Sequence, residues 1–156
     1  MDDQTAFGVM QRFGKAFFNR DPALLADVLT EDAQWHFAFG ADGPDGRVRT
    51  GVAGFLQGAR ENDALFERLR FEEVVCRGLH GDAFVMTYRV EGRHRGGDAF
   101  TLRGIELITV RDGRIAKKDV FWKQHRHDGA WTGWEPGDTV LQLLTSMSRS
   151  PRRPGS

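Results

Sequence analysis

FTLRGIELITVRDGRIAKKDVFWKQ, residues 100–124, is the stretch on which the fold turns. Phe100, Leu102, Ile108 and Val110 alternate as the apolar side of a strand does, and Glu106 falls on that same side. Asp112-Gly113 then interrupts two strand-like runs, and this dipeptide is the strongest short-range hairpin signal a sequence carries. Counting outward from a two-residue turn sets Arg111 opposite Arg114, Val110 opposite Ile115, Ile108 opposite Lys117 and Glu106 opposite Asp119. Facing residues share one side of a sheet with Cβ atoms about 4.5–5.5 Å apart. The expectation is therefore a pair of carboxylates side by side.

On a wet face such a pair costs little and means little. In a pocket, desolvation and mutual repulsion both favour protonation, and the two groups titrate together. One member then serves as acid and the other as base near neutral pH. The alternative is a satisfied pair, with Lys117 or Lys123 neutralising one acid and no chemistry intended.

Outward from this hairpin the period stays at two. FERLRFEEVVCRGL, DAFVMTYRVEGRH, AFTLRGIELITV and RIAKKDVFWKQ form four successive strand patterns, separated by His80-Gly81-Asp82, Gly96-Gly97-Asp98 and Asp112-Gly113. The first third is helical: Phe7, Met10, Gly14 and Phe17 recur at helical spacing, with Phe13 and Phe18 widening the stripe. Asp21-Pro22 caps and starts a second helix through Leu24, Leu25, Val28 and Leu29. AQWHFAFG (33–40) is an aromatic strand, GADGPDGR (40–47) a loop, and Thr50 the cap of a third helix through Val52, Phe55 and Leu56. Helices followed by an antiparallel meander predict an α+β fold with the helices on one face of a curved sheet. One domain over residues 1–147 is expected, with a polar, Pro/Arg/Ser-rich tail at 148–156 lacking structure.

The balance of 22 basic and 22 acidic residues gives no electrostatic reason to expect nucleic acid or anionic lipid as partner. The apolar runs are too short for a membrane span, and MDDQTAFGVM has no basic stretch of a secretory signal. Cys76 is the lone cysteine, which excludes an intrachain disulfide, suits a reducing, cytoplasmic setting, and reads as a small buried hydrophobe. His36, His80, His94, His125 and His127 include no i, i+4 helical pair, so no metal or other cofactor is expected. The Gly-rich spots lack the spacing of a phosphate loop. Trp131 and Trp134 are placed at a pocket mouth or a dimer interface, and Asp138 caps a closing helix through Val140, Leu141, Leu143 and Leu144.

QRFGKAFFNRDPALLADVLTEDAQW, RTGVAGFLQGA and RDGRIAKKDVFWK, in this order, resemble the nuclear transport factor 2-like superfamily, which includes ketosteroid isomerases, SnoaL-like polyketide cyclases, scytalone dehydratase and limonene epoxide hydrolase. The resemblance spans roughly residues 4–125. It implies a cone in which a bent sheet wraps the helices around a deep apolar pocket, and it implies a homodimer. Against the ketosteroid isomerase pattern, the helix-one tyrosine falls on Phe13, the general-base aspartate on Phe37, and the protonated acid of the later strand on Glu106. Two of three positions are thus lost, and steroid isomerisation by the usual constellation is not implied. The SnoaL-like pattern of a basic or aromatic residue followed four places on by an acid falls, with polarity inverted, on Asp119 and Lys123.

By the resemblance, Phe84, Met86, Tyr88 and Val90 face the cavity. A bulged Gly96-Gly97-Asp98 turn aligns that face with Glu106 and Asp119, whereas a plain two-residue turn aligns it with Ile105, Leu107, Lys118, Val120 and Trp122. The bulged turn is preferred. The candidate site is then Glu106 and Asp119 as the proton-transfer pair, Tyr88 and Lys123 orienting a ligand oxygen, and Trp35, Phe37, Phe84, Met86 and Phe121 as walls. Two functions fit: a cofactor-free acid–base enzyme acting on a small, largely apolar carbonyl or hydroxyl compound, or a ligand-binding or dimerisation module without turnover.

Overall fold

The computed structural model describes residues 1–40 and 43–123. Three helices precede or interrupt a six-stranded mixed sheet: α1 (Asp3–Phe18), α2 (Pro22–Val28), β1 (Leu29–His36), β2 (Val48–Thr50), α3 (Gly51–Leu65), β3 (Phe66–Gly78), β4 (Ala83–His94), β5 (Ala99–Arg111) and β6 (Arg114–Trp122). Their order across the sheet is β2-β1-β6-β5-β4-β3, open at both edges. Only β1 and β6 run parallel; the other pairs are antiparallel. This is the expected α+β cone, with the helices packed inside a sheet bent by bulges within the β3–β4, β5–β6 and β1–β6 pairings.

Local chemistry sets the helix boundaries. Asp2 accepts from the Thr5 amide at 2.8 Å and starts α1. Asp21 accepts from the amides of Ala23 and Leu24, both at 3.0 Å, with Pro22 at the first helical position of α2. Leu29 begins β1 instead of ending α2, so the first strand starts four residues before the aromatic run that announces it. The buried face of α1 is Ala6, Val9, Phe13 and Ala16, rotated about one position from the aromatic stripe; Phe7 and Phe18 are exposed. Thr50 occupies the N-cap position of α3, but its side chain makes no capping bond. β2, three residues between the 40–47 loop and the third helix to which the sequence pattern assigns no strand, is held to α3 by Arg49, which binds both carboxylate oxygens of Glu61.

The core lies between the helices and the concave face. Leu25, Leu29, Phe55, Phe84, Val90, Ile108 and Ile115 are its largest fully buried side chains. Cys76 is buried opposite Met86, as its place in a strand suggests. On the convex face Ile105, Leu107 and Phe121 stay exposed. Among the described residues no helix is long and apolar enough to cross a membrane. The expectations for His125, His127, Trp131, Trp134, the helix after Asp138, and the tail lie outside the described residues.

Two turns decide which side chains meet. The five residues between Arg93 and Ala99 form a wider turn than the two-residue alternative, with the His94 amide bonded to the Asp98 carbonyl. Met86 consequently faces Glu106, and the even-numbered face of β4 joins that of β5, as the bulged reading anticipates. At the next turn Asp112 and Gly113 take φ of 52° and 73°, the left-handed pair of a tight hairpin, and Arg111 faces Arg114 and Val110 faces Ile115 as counted. The count then fails. Ala116 is an extra residue on β6, so Thr109 faces Lys117, Ile108 faces Lys118, and Glu106 faces Val120.

Candidate functional site

Three rows of side chains cross β4, β5 and β6 on the concave face: Phe84, Ile108 and Lys118; Met86, Glu106 and Val120; Tyr88, Gly104 and Trp122. The bulge at Ala116 corrects the expected carboxylate pair. Asp119 lies opposite Leu107 on the other face, in an ion pair with Lys117 at 3.0 Å, and the acid at the centre of the concave face has an ammonium for company instead. Lys118 Nζ stands 2.8 Å from Glu106 Oε2, with both side chains less than a tenth exposed. The contact is ionic but poorly aligned, and Oε2 receives no hydrogen bond of good geometry. The other oxygen, Oε1, accepts from the Tyr88 hydroxyl at 3.0 Å, and that hydroxyl in turn accepts from Trp122 Nε1 at 2.8 Å.

Gly104 makes this relay fit. It sits between Tyr88 and Trp122, and a Cβ there would lie 2.4–2.7 Å from the Tyr88 ring and hydroxyl. Without a side chain at this point the phenol lies across β5 and reaches the acid two residues along. Burial, with the Glu106 carboxylate beside it, pushes the Tyr88 phenol far above its ordinary value, so it stays a donor. Burial also raises the Cys76 thiol, with Glu106 adding to the effect.

A cavity of about 480 Å³ opens above these rows. Its walls are aromatic and apolar: Phe13 and Phe17 from α1, Trp35 and Phe37 from β1 and its extension, Phe66 from β3, and Trp122 from β6. Glu106 and Lys118 line it, and the Lys118 ammonium lies 5.0 Å from the centre of the Trp35 ring, in cation–π range. Arg20, Asp63, Glu67 and Arg68 also border the cavity and are partly or fully exposed, which marks where it meets solvent. That volume is within the range of ordinary small-molecule sites.

The structure brings together Glu106, Trp35, Phe37 and Met86 from the expected site. Phe84 is fully buried below the cavity in the core. Tyr88 stands behind Glu106, its hydroxyl already engaged by the acid and by Trp122. The remaining placements are corrected by the same bulge: Asp119 and Phe121 face outward, Phe121 being 55% exposed, and Lys123 is exposed past the end of β6. Lys118, Val120 and Trp122 take the inward positions that the two-residue alternative assigned to them. The signal for Lys118 was in Lys117-Lys118 itself, since adjacent strand residues point to opposite faces and one lysine of the two must turn inward. Among the described residues no three His, Cys, Asp or Glu side chains gather as metal ligands.

A family model of the SnoaL-like domain matches residues 10–118. The chain belongs to the SnoaL-like domain family. Solved structures of the same shape include a provisionally named polyketide cyclase from Xanthomonas campestris pv. campestris, 24% identical with a TM-score of 0.62 over 79% of this chain and 93% of that one. An NTF2-like protein from Burkholderia xenovorans LB400 is 18% identical with a TM-score of 0.63, covering 79% and 92%. A provisionally named isomerase from Bacillus subtilis is 18% identical with a TM-score of 0.60, covering 79% and 90%. These likenesses establish that the SnoaL-like chain shares its fold with nuclear transport factor 2-like proteins. No curated protein matches it.

Proposed function

We propose that this SnoaL-like protein binds a small, largely apolar metabolite bearing a carbonyl or hydroxyl group and carries out acid–base chemistry on it at Glu106, in the class of isomerisation, dehydration, cyclisation or hydrolysis. The observation that carries the reading is a carboxylate fixed between the Tyr88 hydroxyl and the Lys118 ammonium on the wall of an aromatic cavity. The apolar walls suit a hydrocarbon or aromatic body. Oε1 is held by Tyr88, which leaves Oε2 as the basic position, and Lys118 is placed to stabilise negative charge on a ligand oxygen. This chemistry needs no bound cofactor. The neighbours named polyketide cyclase and isomerase lend the class support through fold alone. The test is E106Q assayed on a ligand found by screening: turnover falls on the order of 100-fold while binding persists. Unchanged turnover removes Glu106 from the chemistry.

A second reading, a binding module without turnover, is favoured by Phe13 and Phe37, apolar where the isomerase pattern carries its tyrosine and aspartate. Under that reading every ligand that binds leaves unaltered. As a further part of the same proposal, the protein pairs with a second copy through its convex face. There Ile105, Leu107 and Phe121 are exposed beside charges of both signs, including the Lys117–Asp119 and Arg103–Glu73 pairs, which two-fold symmetry can match. F121E should convert a dimer to a monomer in light scattering; a wild-type monomer at micromolar concentration rejects this part.

A further inference from the structure

We propose that Lys118 is a covalent site for aldehydes and ketones, forming an iminium with a carbonyl ligand whose body is aromatic or otherwise apolar. The inference rests on the reading of the cavity as a ligand site and adds to it the bond the ligand makes. The chain has four lysines. Lys15 and Lys123 are exposed, and Lys117 is half-buried on the convex face against Asp119. Lys118 alone is buried, lines the aromatic cavity, and has a carboxylate within proton-transfer distance at 2.8 Å.

Amines attack carbonyls only in their unprotonated form, so an iminium-forming lysine needs a neighbour that can take its proton and return it. Glu106 is that neighbour. Its Oε1 is tied to Tyr88, while Oε2 faces the ammonium without a well-aligned bond. A charged pair taken out of water is costly to maintain, and moving one proton from Nζ to Oε2 leaves both groups neutral. The Nζ lone pair then adds to the carbonyl carbon as the C=O π pair moves onto oxygen. A proton passes from nitrogen to that oxygen through the carboxyl group, giving a neutral carbinolamine and leaving Glu106 protonated. Glu106 next delivers its proton to the carbinolamine hydroxyl, water leaves with the C–O bonding pair, and the nitrogen lone pair closes the C=N bond. The iminium cation that results stands beside the regenerated Glu106 carboxylate and within reach of the Trp35 face, both of which stabilise its charge. No oxidant or reductant enters this sequence.

The experiment uses the full chain, 2-naphthaldehyde as carbonyl probe and cyanoborohydride as trap, with intact-mass and peptide-level mass spectrometry. Reduction of the iminium adds the probe's mass less one oxygen. The expected result is one adduct, located on Lys118 by fragmentation, retained in K117M and absent in K118M, and formed about tenfold or more slowly in E106Q. Binding of 2-naphthylmethanol, which has the same body and no carbonyl, is followed in parallel by tryptophan fluorescence. Naphthylmethanol binding without a Lys118 adduct, or labelling spread evenly over Lys15, Lys117 and Lys123, overturns the covalent site while leaving the ligand cavity standing. Absence of both binding and adduct overturns the cavity reading and this inference with it. Site mapping on the wild-type chain decides the matter even where K118M folds poorly.

Discussion

Lys118 and Glu106 meet across a diagonal of the sheet: Ile108 faces Lys118, Glu106 faces Val120, and the ammonium reaches back one pair to lie 2.8 Å from Oε2. Each charge is buried, so each depends on the other. Removing one partner of a buried pair strands the remaining charge and costs about 3–5 kcal/mol, whereas replacing both with apolar groups of similar size is close to neutral. Urea unfolding should therefore show E106L and K118M each strongly destabilised and the double variant within about 2 kcal/mol of wild type. Costs that simply add would mean that the pair is solvated and uncoupled.

Deletion of Ala116 removes the residue that separates the counted register from the observed one. With Val110 still opposite Ile115, Thr109 then meets Lys117 and Ile108 meets Lys118 with no residue left over, so Lys118, Val120 and Trp122 keep their inward places and what is lost is the bend that the bulge gives β6. The deletion should cost about 0.5–3 kcal/mol, through a straightened hairpin and a disturbed pairing with β1, and still unfold cooperatively, while alanine insertion in the exposed Gly81 turn should be milder. A deletion variant in which Lys118 becomes exposed to amine-modifying reagents would contradict the assignment of Ala116 as the extra residue.

This residue also shows what was legible in advance. The four long strands, the three helices, the Asp21-Pro22 cap and the Asp112-Gly113 turn are all local signals, and pattern and turn chemistry carry them. Glu106 was conspicuous because a carboxylate interrupts an apolar alternation, and burial confirms its place. The identity of its partner was not legible. A β-bulge leaves no strong composition signal: Ala116 is small and unremarkable in sequence, and it takes its meaning from β1, which pairs with β6 in parallel and with its own irregularity. The short β2 was hidden for a similar reason, being three residues stabilised by Arg49 and Glu61 far along the chain.

Gly104 holds open the space for the Tyr88 ring, so G104A should disrupt the relay. A Cβ 2.4 Å from the ring must displace it, at a cost of about 1–3 kcal/mol, and the hydrogen bond from Tyr88 to Glu106 is lost with it. Y88F removes the same hydrogen bond without the clash and should cost less, about 1–2 kcal/mol. Equal stabilities of G104A and wild type would place the Tyr88 ring elsewhere.

Cys76 gives a prediction about reactivity. Burial and the nearby Glu106 carboxylate raise its thiol, so the thiolate is scarce at pH 8. Ellman's reagent should modify the native protein orders of magnitude more slowly than the urea-unfolded chain. Rapid labelling without denaturant would contradict the placement of β3 against β4.

The clamp between β2 and α3 yields the pH dependence. Hydrogen bonds from Arg49, with the charges of Arg49 and Arg47 behind them, hold the Glu61 carboxyl below its ordinary value of 4.5. A group that binds protons less well when folded contributes stability above its unfolded value, and that contribution disappears as pH falls through the lower folded one. E61Q should therefore lose about 1 kcal/mol at pH 7, and its gap from wild type should close as the solution is acidified below 4.5. A gap that is constant with pH would assign the loss to packing.

A ligand in the cavity should be sensed by the buried ionisable groups that line it, Glu106 and Lys118, and not by those on the convex face. Carbon-13 NMR of protein labelled at Glu Cδ, Asp Cγ and Lys Cε, titrated with 2-naphthylmethanol, reads each of them separately. The prediction is that the Glu106 and Lys118 resonances move together with binding while Asp119 and Lys117 stay fixed. Movement of Asp119 with Glu106 and Lys118 silent would contradict it.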